Sequence, residues 1–426
     1  MEELIRFLET SPTAAAAAEN VSLSLLDEGF TELYLKDSWK LSAGGRYFVR
    51  PAESSLTAFA IPEKTPASEP FFRIIGAHLD SPCLRIKPSP AMKDGSYYRL
   101  NAEVYGGPIY SSWFDRPLSL AGTVTLKGTD PFHPVTRLVD LKEPVLVIPN
   151  LAIHMNREVN DGVKLNPQSD LLPVGALAAS LEGDPLTEAL TAALGVEADD
   201  ILDFDLFTYL AEKPALVGFK KEFISAARLD DLIMAKSALD AFLAADLSAA
   251  SGVNVLALFD HEEVGSESRQ GADSDMLRLV LEKLALGLGL DRSAYLGAAA
   301  GSLVISADVA HAIHPAHPEK HDPLLRTQLG QGPVIKVSAR QAYVSHSAEY
   351  SVFEELCRKA GVPVQKFANR SDVRGGSTIG PAISSWLPCR CLDMGIALLA
   401  MHSSRELAAV ADFDYTRCAF KEFYSL

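Results

Sequence analysis

Short unbroken apolar runs recur along the chain, and three of them stop abruptly at acidic or histidine residues. Phe71 to Ala77 runs into His78-Leu79-Asp80, Val253 to Phe259 into Asp260-His261-Glu262-Glu263, and Ser302 to Ala307 into Asp308. Continuous rather than alternating apolar character predicts strands covered on both faces, as in an α/β sheet. Helical periodicity fills much of the rest, in residues 1–35, Ile233 to Leu243, Asp273 to Leu290 and Ser347 to Gly361, the last with a glycine at its C-terminal end. Between Pro90 and Lys221 the texture shifts to short strands and turns, followed by an acidic piece from Pro185 to Glu212 that reads as helical. This predicts two domains, one discontinuous (1–90 and 222–426) and one inserted and mostly β (91–221).

The polar ends of the runs carry the chemistry. Ionised groups do not normally terminate buried strands unless they are paired or bound to a metal. His78 and Asp80 lie two apart, on one face of an extended chain, so the carboxylate can hydrogen-bond one ring nitrogen while the other faces a cation. Glu262 and Glu263 can serve one site only where the backbone turns, which Gly265-Ser266 allows. Asp230 follows a short strand in Arg228-Leu229-Asp230-Asp231, where Asp231 reads as a helix N-cap. Asp308 and His402 add two more such ends. In an open α/β sheet the carboxyl ends of the strands face one crevice, and two histidines with several carboxylates suit a two-metal hydrolytic site. No HExxH helix motif is present: Gly265 lies four residues after His261. His314, His317 and His321 form a second histidine-rich stretch, broken by Pro315 and Pro318. His154 stands on the apolar stretch Leu151 to Met155 and reads locally as a core residue.

Composition narrows the class. A 426-residue chain that is 48% hydrophobic is ample for a packed core, and a formal charge of −16 excludes an extended nucleic-acid surface. No apolar run reaches membrane-spanning length and no leader pattern opens the chain. Five cysteines without a CxxC pair fit reduced thiols and a cytoplasmic setting.

Together, Gly76-Ala77-His78-Leu79-Asp80-Ser81-Pro82, Arg228-Leu229-Asp230, Asp260-His261-Glu262-Glu263-Val264-Gly265-Ser266, Ser306-Ala307-Asp308, Gly332-Pro333-Val334-Ile335-Lys336 and Met401-His402-Ser403 resemble the M18 aspartyl aminopeptidases, dinuclear zinc exopeptidases, over essentially the whole chain. The resemblance implies an α/β mixed-sheet zinc-peptidase catalytic domain with helices on both faces, plus an inserted mostly β dimerisation domain. It implies two zinc ions per subunit, exchangeable with Mn or Co. His78 and Asp308 would hold one, Glu263 and His402 the other, and Asp230 would bridge. Glu262 would be the general base and Asp80 would orient His78. Lys336 would face the carboxylate of an N-terminal Asp or Glu, Tyr343 would donate to the oxyanion, and His154 would reach a neighbouring subunit's site. Family members pair into dimers that build dodecamers, so a homo-oligomer acting on peptides is expected, with no nucleic-acid or membrane partner. The competing readings are an amidohydrolase or carboxypeptidase of the same architecture, with Arg370 or Arg374 gripping a terminal carboxylate, a broad-specificity aminopeptidase, and a non-enzymatic zinc protein.

Overall fold

The computed structural model describes residues 1–64, 71–248, 250–344 and 346–426. The chain divides into two compact units. The first comprises Met1–Asp80, Ala215–Met401 and Glu406–Leu426, the second Ser81–Pro214 and His402–Arg405.

The first unit is built on a nine-stranded sheet. Its spatial order is Thr31–Leu33, Arg46–Ala52, Ser55–Ala60, Val253–Phe259, Phe72–His78, Leu303–Ala307, Arg390–Gly395, Val334–Val337 and Gln365–Ala368. The central run is parallel and, apart from Arg390 at the start of its last strand, buried, which is why its strands read as continuous apolar segments. Alternation divides each strand between two cores. Ile75, Ala77, Leu256 and Leu258 pack with helices Glu2–Thr10, Ala14–Asp27, Leu229–Leu243, Ser347–Ala360 and Val410–Ser425. Phe72, Ile74, Val255 and Phe259 pack with helices Met276–Gly287, Arg292–Ala300 and Ile379–Trp386 on the other face. Helices therefore cover both faces, as expected. A five-stranded sheet of Ala215–Val217, Phe223–Ala226, Glu406–Ala409, Ala397–Leu399 and Ala310–His311 completes this unit.

The second unit carries a six-stranded sheet in the order Val135–Asp140, Leu118–Leu126, Ile201–Leu210, Cys83–Asp94, Tyr97–Tyr105 and Val174–Leu177. One expectation is corrected here. The piece from Pro185 is α-helical only to Leu194, Ala198–Asp200 make a 3-10 turn, and Ile201–Leu210 is a strand, antiparallel to Leu118–Leu126. Gly195 ends the helix in the left-handed region (φ 64°). Asp203 and Asp205 then point outward on an alternating strand, so the acidic face is solvated but not helical. Among the described residues no helix is long and apolar enough to cross a membrane.

Candidate active site

Parallel register brings the charged strand ends together. Phe259 pairs with His78, and Ser306 pairs with Gly76, so Asp260 to Glu263, His78 to Asp80, and Asp308 leave the sheet at one edge. The chain turns at once after Phe259. His261 adopts φ 63°, Glu262–Val264 form a 3-10 turn, and Gly265 takes φ 104°. This turn, not strand alternation, lets both glutamates face the site. His261 turns away, its Nδ1 2.7 Å from Ser268 Oγ.

Asp80 ties the first two motifs. Its carboxylate lies 3.3 Å from His78 Nδ1 and accepts the backbone N–H groups of Glu262 (3.2 Å) and Glu263 (3.1 Å). The other ring nitrogen of His78 lies 3.3 Å from Asp230 Oδ1. Asp230 is in turn placed by its own N–H, which donates to the Glu406 carboxylate at 3.0 Å. The Asp230–Asp231 peptide is cis. Asp231 is not a helix cap. It is fully buried, and its Oδ2 accepts the N–H of His78 at 3.2 Å. Sequence reasoning missed this residue because a second Asp at a strand-to-helix junction has an ordinary local explanation. Its only distinguishing mark was being one of a pair at the end of an apolar segment.

Two groups of side chains result in this unit, His78 with Asp230, Asp231 and Asp308, and His78 with Glu262 and Glu263. Within each, the nearest donor atoms all lie within 4.8 Å of one another. Zinc bonds of about 2.0–2.2 Å put tetrahedral neighbours roughly 3.4 Å apart, so the spacing suits an ion. The donor chemistry does too. Burial, reinforced by the Asp308, Asp230 and Asp80 charges and opposed by His78, pushes the Glu262 carboxyl up to about 8. Burial also raises Glu263 and Asp231 well above the usual carboxylate range and raises Asp308. Burial alone would lower His78, but Asp231, Asp230 and Asp80 outweigh it and raise its pKa well above the ordinary value. Asp231 Oδ1 is buried with no hydrogen-bond donor among the described residues. So many crowded acids call for cations.

Lys336 supplies one. It comes from the antiparallel strand Val334–Val337, is buried, and places Nζ 3.2 Å from Asp308 Oδ1 and 3.1 Å from Val309 O, to which it donates. The buried Tyr343 ring stands 5.2 Å from the same nitrogen. Behind them, the buried Asp393 accepts the Val344 N–H at 2.5 Å and the Thr378 hydroxyl at 2.7 Å, which fixes the segment after Tyr343 and the start of helix Ile379–Trp386.

Two expected residues belong to the second unit. His402 has φ 65°, and its Nδ1 lies 3.0 Å from Gly107 O. His154 is exposed, not a core residue, among the exposed Leu151, Ile153 and Met155 (56, 48 and 76% accessible).

The chain matches the family described as Aminopeptidase I zinc metalloprotease (M18) over residues 7–424. It is 48% identical over 428 residues to a protein from Clostridium acetobutylicum named probable M18 family aminopeptidase 2, covering 100% of this chain and 98% of the relative. Among solved structures, one titled as the complex of Ape4 and Nbr1 superposes with a TM-score of 0.94 at 34% identity, covering 99% of this chain and 85% of that one. The mApe1 dodecamer of S. cerevisiae gives a TM-score of 0.85 at 26% identity, covering 99% and 95%. These likenesses agree with the site's acidic, imidazole-containing donor set and set aside the carboxypeptidase and non-enzymatic readings. The chain belongs to the M18 family of zinc aminopeptidases.

Proposed function

We propose that this aminopeptidase removes N-terminal Asp or Glu from peptides at a two-zinc site, with Glu262 as the general base. The observation that carries the reading is the latch of Glu262 N–H and Glu263 N–H onto Asp80, which gathers two glutamates beside His78, Asp230 and Asp308. His78 and Asp308 would hold one ion and Glu263 and His402 the other, with Asp230 between them. Bound zinc supplies Lewis-acid polarisation of the scissile carbonyl and acidifies water.

Glu262 takes a proton from the attacking water and returns it to the leaving amine. Its carboxylate is free for this because neighbouring residues, not Glu262, are assigned to the ions. Asp80 keeps the His78 ring and the Glu262–Val264 turn in register. Lys336 faces the acidic side chain of the first residue, and the Tyr343 hydroxyl donates to the oxyanion. The second, β-rich unit is the dimerisation domain. Through it His154 reaches a partner copy's site, and the exposed apolar residues around it suit such a contact. A dodecamer like that of the yeast relative is the expected assembly, in the cytoplasm, where the five free cysteines stay reduced.

The test is Glu262→Gln. The variant should keep the wild-type zinc content while kcat falls by roughly 10² to 10⁴. Near wild-type turnover would remove Glu262 from the role. Aspartyl, glutamyl and leucyl anilides, with N-acetylated controls, decide the first-residue preference.

A further inference from the structure

A cavity of about 340 Å³ opens in the first unit beside the proposed site, and its lining is cationic. Lys320, Arg370 and Arg374 line it together with His311, His314 and His321, and no carboxylate lines it among the described residues. On a chain of formal charge −16 this is a local reversal of sign. Arg370 is held rigidly by a two-point pair with Asp372, Nε to Oδ1 and Nη2 to Oδ2, both 2.8 Å. Arg374 and Lys320 are exposed, and neither is in an ion pair among the described residues. Asp372 is committed to Arg370, and Glu319 and Asp322 act on the same cations, but none of the three lines the cavity, so the charged side chains that face it are cationic.

The cavity's position relates it to the chemistry. His311 lies on the short strand that follows Asp308. Phe367, which lines the cavity, is paired in register with Lys336. Its ring lies 6.4 Å from that of Tyr343, 5.8 Å from His311 and 6.3 Å from His321. An extended peptide advances about 3.3–3.6 Å per residue. A substrate whose first residue sits at Lys336 and Tyr343 therefore has the cavity within reach of its next two or three residues.

We propose that this cavity is an anion subsite for the leaving part of the substrate. Arg374 and Lys320 would bind a carboxylate downstream of the scissile bond, either the C-terminal carboxylate of a short peptide or an acidic side chain at the second position. The inference rests on the aminopeptidase reading above. It makes the enzyme selective for short or doubly acidic peptides over neutral leaving groups. Arg374, one of the two arginines that suggested a carboxypeptidase, takes a different role: it reads the far end of a peptide cut at its near end.

The experiment compares Asp-Ala, Asp-Ala-amide and Asp-Glu-amide on the zinc-loaded enzyme, with aspartyl and leucyl anilides alongside. Wild type should favour Asp-Ala and Asp-Glu-amide over Asp-Ala-amide by about tenfold in KM, the scale of one charge-assisted contact. R374A and K320A should shrink that preference to about twofold or less. Favouring only Asp-Ala assigns the C-terminal carboxylate, and favouring both assigns either source. Equal KM for all three peptides, or a preference that survives both substitutions, overturns the subsite. So does a change in the aspartyl-to-leucyl ratio with the leaving-group preference intact, which would assign the cavity to the first side chain. Hydrolysis of the anilides reports the aminopeptidase reading separately. Calorimetric binding of Asp-Ala and its amide to zinc-loaded E262Q and E262Q/R374A reads the subsite without turnover. There, equal affinity of acid and amide for E262Q overturns it as well.

Discussion

The Asp80 carboxylate accepts the backbone N–H of Glu263 at 3.1 Å while its other oxygen takes that of Glu262, so one side chain sets the position of two glutamates 182 and 183 residues away. The same carboxylate stands 3.3 Å from His78 Nδ1. Asp80 thus links two proposed ligand-bearing segments without being a proposed ligand. Asp80→Ala removes all three contacts. Zinc affinity should fall by about 10- to 100-fold, the usual cost of losing a partner that orients a ligand. Competition against a chelator measures it. An unchanged affinity together with unchanged kcat would sink the linking role.

Lys336 is buried against Asp308 rather than extended into solvent, so its charge acts in a low-dielectric setting. Burial alone would lower its pKa, but Asp308, Asp393 and Tyr343 raise it above the ordinary lysine value, and the side chain stays charged across the working pH range. Lys336→Met keeps much of the volume and removes the charge. The loss in kcat/KM should be larger for aspartyl than for leucyl substrates. Equal losses would confine Lys336 to supporting Asp308.

How much of this was legible in the chain differs by kind of signal. The strand Val253–Phe259 was read to the residue, and Phe72–His78 to within one, because burial on both faces writes itself as a continuous apolar run. The charged ends were visible for the same reason, since nothing in a buried strand explains them. Local periodicity failed at Ile201–Leu210, where Asp203 and Asp205 sit at strand spacing but follow a true helix. Asp231 was hidden behind a plausible cap role, and its real partner, the N–H of His78, is 153 residues away. The Lys336–Asp308 pair and the cationic cavity were equally hidden: both arise from which strands neighbour one another in the sheet, which periodicity does not encode.

Loading the site should release protons. Without cations, burial and the neighbouring carboxylates push the Glu262 carboxyl up to about 8, so it holds its proton at pH 7, and burial shifts Glu263 and Asp231 in the same direction. The carboxylates around His78 raise its imidazole pKa too, which favours the protonated ring. A bound cation favours the charged carboxylates and the neutral imidazole, so every shift has the same sign. Apparent zinc affinity should therefore rise as pH increases through 7 toward the Glu262 value of about 8. Titrating chelated protein in buffers of different ionisation enthalpy checks this. A binding heat independent of buffer would contradict it.

A second buried acid governs stability rather than loading. Asp412, in the first turn of helix Val410–Ser425, accepts the N–H groups of Gly330 and Gly332 at 2.7 Å each, and so anchors the turn that leads into the Lys336 strand. That turn tolerates little change. Gly332 has φ +88°, and a Cβ there would lie 2.1 Å from Pro363 O. Burial, opposed by the two N–H groups, pushes the Asp412 carboxyl up to about 6. In the unfolded chain it titrates near its ordinary value of about 3.9. Between these two values the folded state binds the proton and the unfolded state does not, so this group's contribution to stability declines as pH rises through the window. The slope is at most about 1.4 kcal/mol per pH unit. Asp412→Asn cannot ionise and removes the slope, although it costs one of the two N–H contacts. The stability difference between wild type and D412N, measured by denaturant unfolding at pH 4 to 7, should therefore shift against the wild type as pH rises and level off above 6. A difference that is constant across this range would show that Asp412 is already ionised at the bottom of it and that the two N–H groups, not burial, set its charge.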